Sequence, residues 1–427
     1  MVQSTKERKP RVLFTTPILR RPAAGGPYLR IENSIKALSQ ISDLYIYSRV
    51  SLDALGGVDG LSSYERYCKE FHFAPSVDAS ANRYIRFARR TIGFLSRRIV
   101  KRKILSIGQE KDFRTLLNVA DSIQADVIWL GYGNISYPLL RYVKGHSNYK
   151  VVLDADSVWS RFVLRGLPFA KDREERQRIE KKGREKEEEE RWGTQLADVT
   201  TAVSEVDADY YCMLAKHPDQ VHIFSNAIDV ETYQQAPPPA DNLRKPCVYL
   251  AGTFWPQSPM EDAARWVIAE VLPLVRQQIP GVHFYIIGKG SDQTLSDIDD
   301  PDITITGQLP SVLPYLYHAD VALVPLRFES GTRFKILEAG ACGIPVVSTT
   351  LGAEGIPVTH EKDILIADEP EPFANSIIRL ITDRDFAIET AENLRTLVRE
   401  KYSVASLAQE GQLILEYLLS SSNSSNV

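Results

Sequence analysis

The chain has 427 residues, 44% of them hydrophobic and 25% charged, an ordinary globular composition with room for two domains of roughly 200 residues, each with its own core. A formal net charge of -4 gives no electrostatic footprint for nucleic acid, which is not expected as a partner. Cys68, Cys212, Cys247 and Cys342 show no Cys-x-x-Cys pairing, Met1 to Pro10 lacks a signal-peptide apolar core, and no stretch reaches the ~18 apolar residues of a spanning helix; a cytoplasmic protein with at most peripheral membrane contact is expected.

In chain order, Arg11 to Pro17 reads as a first strand, and Ile18 to Tyr28 as a loop holding Ala23-Ala24-Gly25-Gly26-Pro27. Leu29 to Ser39 follows as a helix with apolar residues at Ile31, Ile35 and Leu38, and Leu44 to Tyr47 as a second strand, a βαβ opening. A Gly-Gly pair alone is a weak signal, equally a surface turn. Arg83 to Leu105 carries only basic charge, from Arg83 to Lys103, interleaved with Tyr84, Phe87, Ile92, Leu95 and Ile99 at helical spacing. A basic face beside an apolar stripe suits an interfacial helix on anionic lipid, and equally a helix packed on the domain with a solvated basic face.

Asp126 to Gly131 and Lys150 to Asp156 read as further strands, and ligands in an open α/β sheet sit at the C-terminal strand ends. Tyr132, Asn134, Asp154, Asp156 and Ser157 are therefore cleft candidates. Asp154-Ala155-Asp156 also has the spacing of a carboxylate pair holding a divalent cation, but three residues are a very weak signal and no metal is expected. Asp156 or Ser157 alternatively caps the following helix. Lys171 to Arg191 reads as a long solvated helix weakened in its middle by Gly183. Ala197 to Ser204 returns to strand, Glu205 to Leu214 to helix, and Val221 to Asp229 closes the first half before the Pro-rich linker Gln234 to Ala240.

The second half starts with the strand Val248 to Gly252, a helix Glu261 to Gln278, a strand Val282 to Gly290 ending in glycines, and a strand Ile303 to Gly307. Val321 to Leu326 is then a buried strand, Ser330-Gly331-Thr332 has turn and N-cap chemistry, and Phe334 to Cys342 has helical periodicity. Strand, glycine turn and helix make a phosphate cradle: unpaired N–H groups and the helix macrodipole favour an anion, and Gly331 admits close backbone approach. Arg333 and Lys335 add positive charge in the first turn, and Glu338 supplies an acceptor carboxylate suited to sugar hydroxyls. Ile364 to Asp368, helices Pro372 to Thr382 and Phe386 to Lys401, and a last helix Val404 to Leu419 complete the chain ahead of a polar tail.

Glu338-Ala339-Gly340-Ala341-Cys342-Gly343-Ile344-Pro345-Val346-Val347 resembles the donor signature of group 1 glycosyltransferases. The resemblance implies the GT-B fold, α/β with two Rossmann-like domains facing each other across a cleft and a C-terminal helix crossing back to the first domain. The implied division is an acceptor-binding domain at 1–230, a linker at 231–243, a nucleotide-sugar-binding domain at 244–403, and a crossing helix with tail at 404–427. It implies that Glu338 binds the donor ribose, that Ser330, Gly331 and Thr332 lie at the diphosphate and sugar, and that loops at Gly252 and Gly288 border the nucleotide. It further implies that Gly25 and Gly26 face the donor phosphates or the acceptor across the cleft, and that Asp156 orients or deprotonates an acceptor hydroxyl. Ser330 stands where relatives often have a second glutamate, Ala227 replaces the glycine of an Asn-Gly-Val-Asp signature, and the Arg and Lys that many relatives carry after Gly252 are missing; Arg333, Lys335 or Arg327 is the expected compensating charge.

The expected activity is transfer of a sugar from a UDP-, GDP- or ADP-sugar to a hydroxyl of a glycan or lipid-linked acceptor, with retention, without metal or other cofactor, in polysaccharide or glycoconjugate biosynthesis. Asp156, Arg333 and Lys335 are the catalytic candidates. The alternatives are a non-catalytic sugar-nucleotide or glycan-binding subunit of the same fold, and a nucleotide-sugar epimerase.

Overall fold

The computed structural model describes residues 8–23, 25–77, 107–241, 243–328 and 334–420. Its framework is two parallel sheets. The first has seven strands in the order β3-β2-β1-β4-β5-β6-β7: β1 Arg11–Thr16, β2 Asp43–Ser48, β3 Glu70–Phe73, β4 Val127–Gly131, β5 Lys150–Asp154, β6 Val199–Ala202 and β7 Val221–Ile223. The second has six in the order β10-β9-β8-β11-β12-β13: β8 Cys247–Ala251, β9 His283–Ile287, β10 Ile303–Ile305, β11 Val321–Val324, β12 Val346–Ser348 and β13 Leu365–Ile366.

The helices longer than four residues are α1 Gly26–Ile41, α2 Gly57–Glu65, α3 Ile107–Ile123, α4 Tyr137–His146, α5 Trp159–Leu164, α6 Arg173–Leu196 and α7 Glu205–Leu214 around the first sheet. Around the second lie α8 Pro259–Trp266, α9 Leu272–Gln278, α10 Phe334–Cys342, α11 Pro370–Thr382 and α12 Arg384–Lys401, and α13 Val404–Ser420 ends the fold. Strand alternation decides which layer each side chain joins. Val12 and Phe14 of β1 enter the core made with Ile31, Ile35 and Leu38 of α1, while Leu13 enters the opposite core with Phe113, Leu116, Leu139 and Val143.

The crossing helix α13 packs on α1: a methyl at Gly411 would stand 3.0 Å from Ile41. Its Glu410 accepts from the Ser225 amide and hydroxyl at 2.7 and 2.8 Å. The chain thus passes between the domains twice, and the passages lie side by side, with the Ile228 amide donating to the Tyr402 carbonyl at 2.7 Å.

Three expectations are corrected. The glycine loop is shorter than Ile18 to Tyr28, because α1 already begins at Gly26 with Pro27 in its first turn, where a missing N–H costs nothing. The stretch Glu261 to Gln278 is not one regular α-helix. A wide π turn at Val267–Val271 separates α8 from α9, just ahead of Pro273, which has no N–H to continue the α-ladder. The acidic helix α6 is not wholly solvated: Glu190 is buried, accepting from the Ser160 amide and the Tyr210 hydroxyl. Gly183 serves packing there, since a methyl would lie 2.3 Å from Leu164 of α5.

Candidate functional site

In each sheet the strand order reverses beside its starting strand, between β1 and β4 in the first and between β8 and β11 in the second. Loops diverge at such switch points and leave a crevice at the C-terminal strand ends. The two crevices face each other. Gly26, opening α1 after β1, meets Phe334, opening α10 after β11, so closely that a methyl on Gly26 would stand 3.0 Å from the ring. Two helix N-termini from opposite domains therefore abut, and the positive ends of both macrodipoles converge.

On the second-domain side, Gly252 ends β8 beneath Lys335, whose Cε would lie 3.2 Å from a methyl at that glycine. Gly288 ends β9 with φ +129° and presses on the Gly252 carbonyl, 1.9 Å from where its own Cβ would be; only glycine fits both conditions. Gly252, Gly288 and Lys335 thus lie together at the ends of β8 and β9 and the start of α10. The Lys335 charge acts on the Glu338 carboxylate one turn further along the same helix. One turn on, half-buried Glu338 accepts a 3.1 Å hydrogen bond from the Tyr233 hydroxyl. Burial pushes its carboxyl above the usual range, opposed by the Tyr233 hydrogen bond and the Lys335 charge. Ser330, Gly331, Thr332 and Arg333 lie outside the described residues, as does the basic stretch 83–105.

On the first-domain side, Gly25 precedes α1 with φ +88° and its carbonyl accepts from the Leu29 amide at 3.1 Å. Asp156 follows β5. Its amide donates to Asn134 Oδ1 at 3.0 Å, and its carboxylate accepts from Trp159 Nε1 at 3.3 Å. Burial, opposed mainly by Arg30, pushes the carboxyl up to about 7. Tyr132 is raised by burial first, then by the charge of Asp156 and a hydrogen bond to it. Asp156 thus holds or releases a proton near neutrality.

Asp154 is not a cleft residue. It is fully buried, ion-paired with Arg30 of α1 and bonded to Trp129 Nε1 and Thr201 Oγ at 3.2 and 3.0 Å. Arg30 also donates to Asn226 Oδ1 at 2.9 Å and the Phe224 carbonyl at 3.1 Å, fixing α1, and hence Gly25 and Gly26, to the ends of β5 and β7. Arg327 is not a free compensating charge either, because its guanidinium is paired in two-pronged fashion with Asp262 at 2.5 and 2.8 Å. Among the described residues no group of three or more His, Cys, Asp or Glu is placed to hold a metal ion, and no helix is long and apolar enough to cross a membrane.

Tyr233 was not found from sequence, since nothing in the run Val230 to Tyr233 announces a contact with Glu338, 105 residues away. A second feature missed is a pocket of about 510 Å³ between the domains, walled by Phe169, Glu175 and Ile179 on one side and Asp262, Trp266, Arg327 and Phe328 on the other. Phe169 and Phe328 meet across it with ring centroids 4.5 Å apart and planes tilted by 37°.

Residues 245–383 match the family model described as Glycosyl transferases group 1. The chain is 24% identical over 214 residues, 45% of its length and 54% of the relative's, to the GDP-mannose-dependent alpha-(1-6)-phosphatidylinositol monomannoside mannosyltransferase of Mycobacterium tuberculosis. The matched stretches span 38% to 54% of the length of the curated relatives. Among solved structures, HepE of Anabaena in complex with UDP superposes with a TM-score of 0.64 at 14% identity, over 95% of this chain and 100% of that one. Sucrose-phosphate synthase of Thermosynechococcus elongatus superposes at 0.65 with 17% identity, over 96% and 100%. The fold is GT-B, with α13 crossing back to the first domain, and residues 245–383 of its second half are similar to the group 1 glycosyl transferase model.

Proposed function

We propose that the chain is a glycosyltransferase that moves a sugar from a nucleotide diphosphate sugar to a hydroxyl of a glycan or lipid-linked acceptor, with retention of configuration. The observation that carries this reading is the meeting of two helix N-termini at facing switch points, with Lys335 over Gly252 and the Glu338 carboxylate one turn further on. Negative charge grows on the diphosphate as the sugar leaves, and fixed amides with a cation in a dry crevice stabilise it without reorganisation. Glu338 accepts from the ribose hydroxyls. Arg333 and the backbone of Ser330, Gly331 and Thr332 complete the grip on the diphosphate and sugar. Asp156 stands on the acceptor side, where it orients the attacking hydroxyl, and the departing phosphate takes up its proton.

The residues divide as 1–230 for the acceptor, 231–243 as linker, 244–403 for the donor and 404–427 as crossing helix and tail. Residues 83–105 supply a peripheral contact to anionic lipid on the cytoplasmic side, where a lipid-linked acceptor would be met. The relative that uses GDP-mannose and the UDP-bound neighbour put GDP- and UDP-sugars first among donors to test.

The test is thermal stabilisation and slow donor hydrolysis across UDP-, GDP- and ADP-sugars for wild type and Glu338→Ala. One donor is expected to stabilise the wild type, with at least tenfold weaker binding by the variant, which loses hydrogen bonds to a charged acceptor. Stabilisation of both proteins alike would remove Glu338 from the ribose, and no stabilisation by any donor would sink the transferase reading.

A further inference from the structure

Tyr233 is the one described residue that hydrogen-bonds the Glu338 side chain, at Oε1, leaving Oε2 unclaimed by any other described residue. It does not belong to the donor domain's own sheet and helices but to a 3₁₀ turn, Val230–Tyr233, in the segment joining the two domains. Both ends of that segment are fastened. Upstream, Asp229 pairs with Lys36 of α1 at 2.8 Å, and Lys36 in turn pairs with Glu32 at 2.7 Å. Downstream, the Tyr233 carbonyl accepts from the Tyr317 hydroxyl, and the Pro237 carbonyl is bonded to His318 Nε2 at 2.7 Å.

We infer that Tyr233 is a positioning residue for donor binding: its hydroxyl fixes the Glu338 carboxylate with one oxygen turned to the donor and ties that carboxylate to the interdomain linker. The inference rests on the assignment of Glu338 to the ribose. Its chemistry is directional. The Tyr233 phenol is raised by burial first and by Glu338 second, so it keeps its proton through the ordinary pH range and acts toward Glu338 as a donor. A carboxylate that accepts on one oxygen keeps its plane, and its second oxygen then meets a ribose hydroxyl without first losing rotamer freedom. Among the described residues, the groups facing Glu338 are Tyr233 from the linker, Lys335 and Cys342 from α10, and Tyr249 from β8, whose buried hydroxyl has no partner among them. Of these, Tyr233 and Lys335 favour the ionised carboxylate.

The experiment uses the full chain and measures the dissociation constants of UDP and GDP by calorimetry between pH 5 and 8.5 for wild type, Tyr233→Phe, Glu338→Gln and the double variant. Donor hydrolysis is measured alongside. Tyr233→Phe keeps the ring in place and removes only the hydroxyl. Loss of one such hydrogen bond is expected to weaken binding about three- to tenfold at pH 7. The pH below which binding falls moves upward, because Glu338 then protonates more readily. In donor hydrolysis KM rises while kcat stays within about twofold, as for an interaction made equally in ground and transition states. In the Glu338→Gln background, Tyr233→Phe adds less than about twofold and no longer shifts the acid limb, which then reports only the terminal phosphate of the nucleotide. A Tyr233→Phe protein with wild-type affinity and pH profile, beside a weakened Glu338→Gln, overturns the inference and leaves the ribose assignment standing. Unaltered binding by Glu338→Gln, or no nucleotide binding by wild type, overturns both.

Discussion

Asp154 and Asp156 are two residues apart and chemically alike, yet their surroundings divide their roles. Asp154 meets Arg30 in the interior and works as a buried anchor for α1. Asp156 is bonded by Trp159 and Tyr132, with Arg30 at longer range, and burial lifts its carboxyl to about 7. The sequence could place both at the end of one strand, but side-chain alternation and the arginine partner, 124 residues away, decide which turns inward. The folded-state pKa of Asp156 lies above its unfolded value, so the folded protein binds more protons between about pH 4 and 7. Stability from this group is therefore fully present at the acid end of that window and is lost as pH rises through 7. We predict that Asp156→Asn melts higher than wild type at pH 8 and loses that advantage by pH 4.5, as measured by calorimetric scans across pH. A constant offset between the two proteins would show that the carboxyl titrates normally. If Asp156 also holds the acceptor hydroxyl, the same variant lowers transfer at least tenfold and removes the inflection near pH 7 from the rate profile.

At the scale of elements, strands and helices whose pattern repeats over many residues were legible: Glu205–Leu214 has the bounds that its periodicity gives, and α12 and α13 differ from expectation by two residues or fewer. Others carried a signal that was not read. Phe113, Leu116, Ala120 and Ile123 recur at helical spacing and are buried along α3, while the edge strand Glu70–Phe73 is short and only half-buried, so alternation had little length to show itself. The glycines illustrate what sequence cannot weigh. Gly25 and Gly288 both have positive φ, but a methyl at Gly25 meets nothing within 4 Å, whereas at Gly288 it would collide with the Gly252 carbonyl. We predict that Gly25→Ala costs about 1–3 kcal/mol, the cost of a backbone region open essentially to glycine alone. Gly288→Ala costs more, about 3 kcal/mol or above, and weakens donor binding too, because the β8 and β9 loops must part. Urea unfolding of the two variants checks the order; equal losses would mean the crevice loops yield without strain.

At the scale of the molecule, two facing sheets and a returning helix were expected from the resemblance carried by Glu338 to Val347, but how the domains touch was not. Arg165 and Glu354 are 189 residues apart and form a two-pronged ion pair across the cleft at 2.6 and 2.8 Å. Four residues on from Arg165, Phe169 packs against Phe328 in a tilted pair. Both contacts lie far in sequence from the hinge at Ile228 and Tyr402, and they oppose an opening motion about it. Domains joined within one chain usually keep some relative motion, and a partly exposed ion pair contributes about 1 kcal/mol or less, so breaking both contacts should move a population rather than unfold the chain. We predict that Arg165→Ala with Phe169→Ala leaves the melting temperature within about 3 °C of wild type but enlarges the radius of gyration in small-angle scattering without donor. Adding the stabilising nucleotide should then recover the compact value, because a ligand gripped from both domains favours the closed state by its differential affinity. The variant also binds that nucleotide several-fold more weakly, by the fraction of closed protein lost. A radius equal to wild type in the absence of nucleotide would show instead that the domains are held by the side-by-side chain passages and the α13 contact alone, and that the two cross-cleft contacts form only as a consequence.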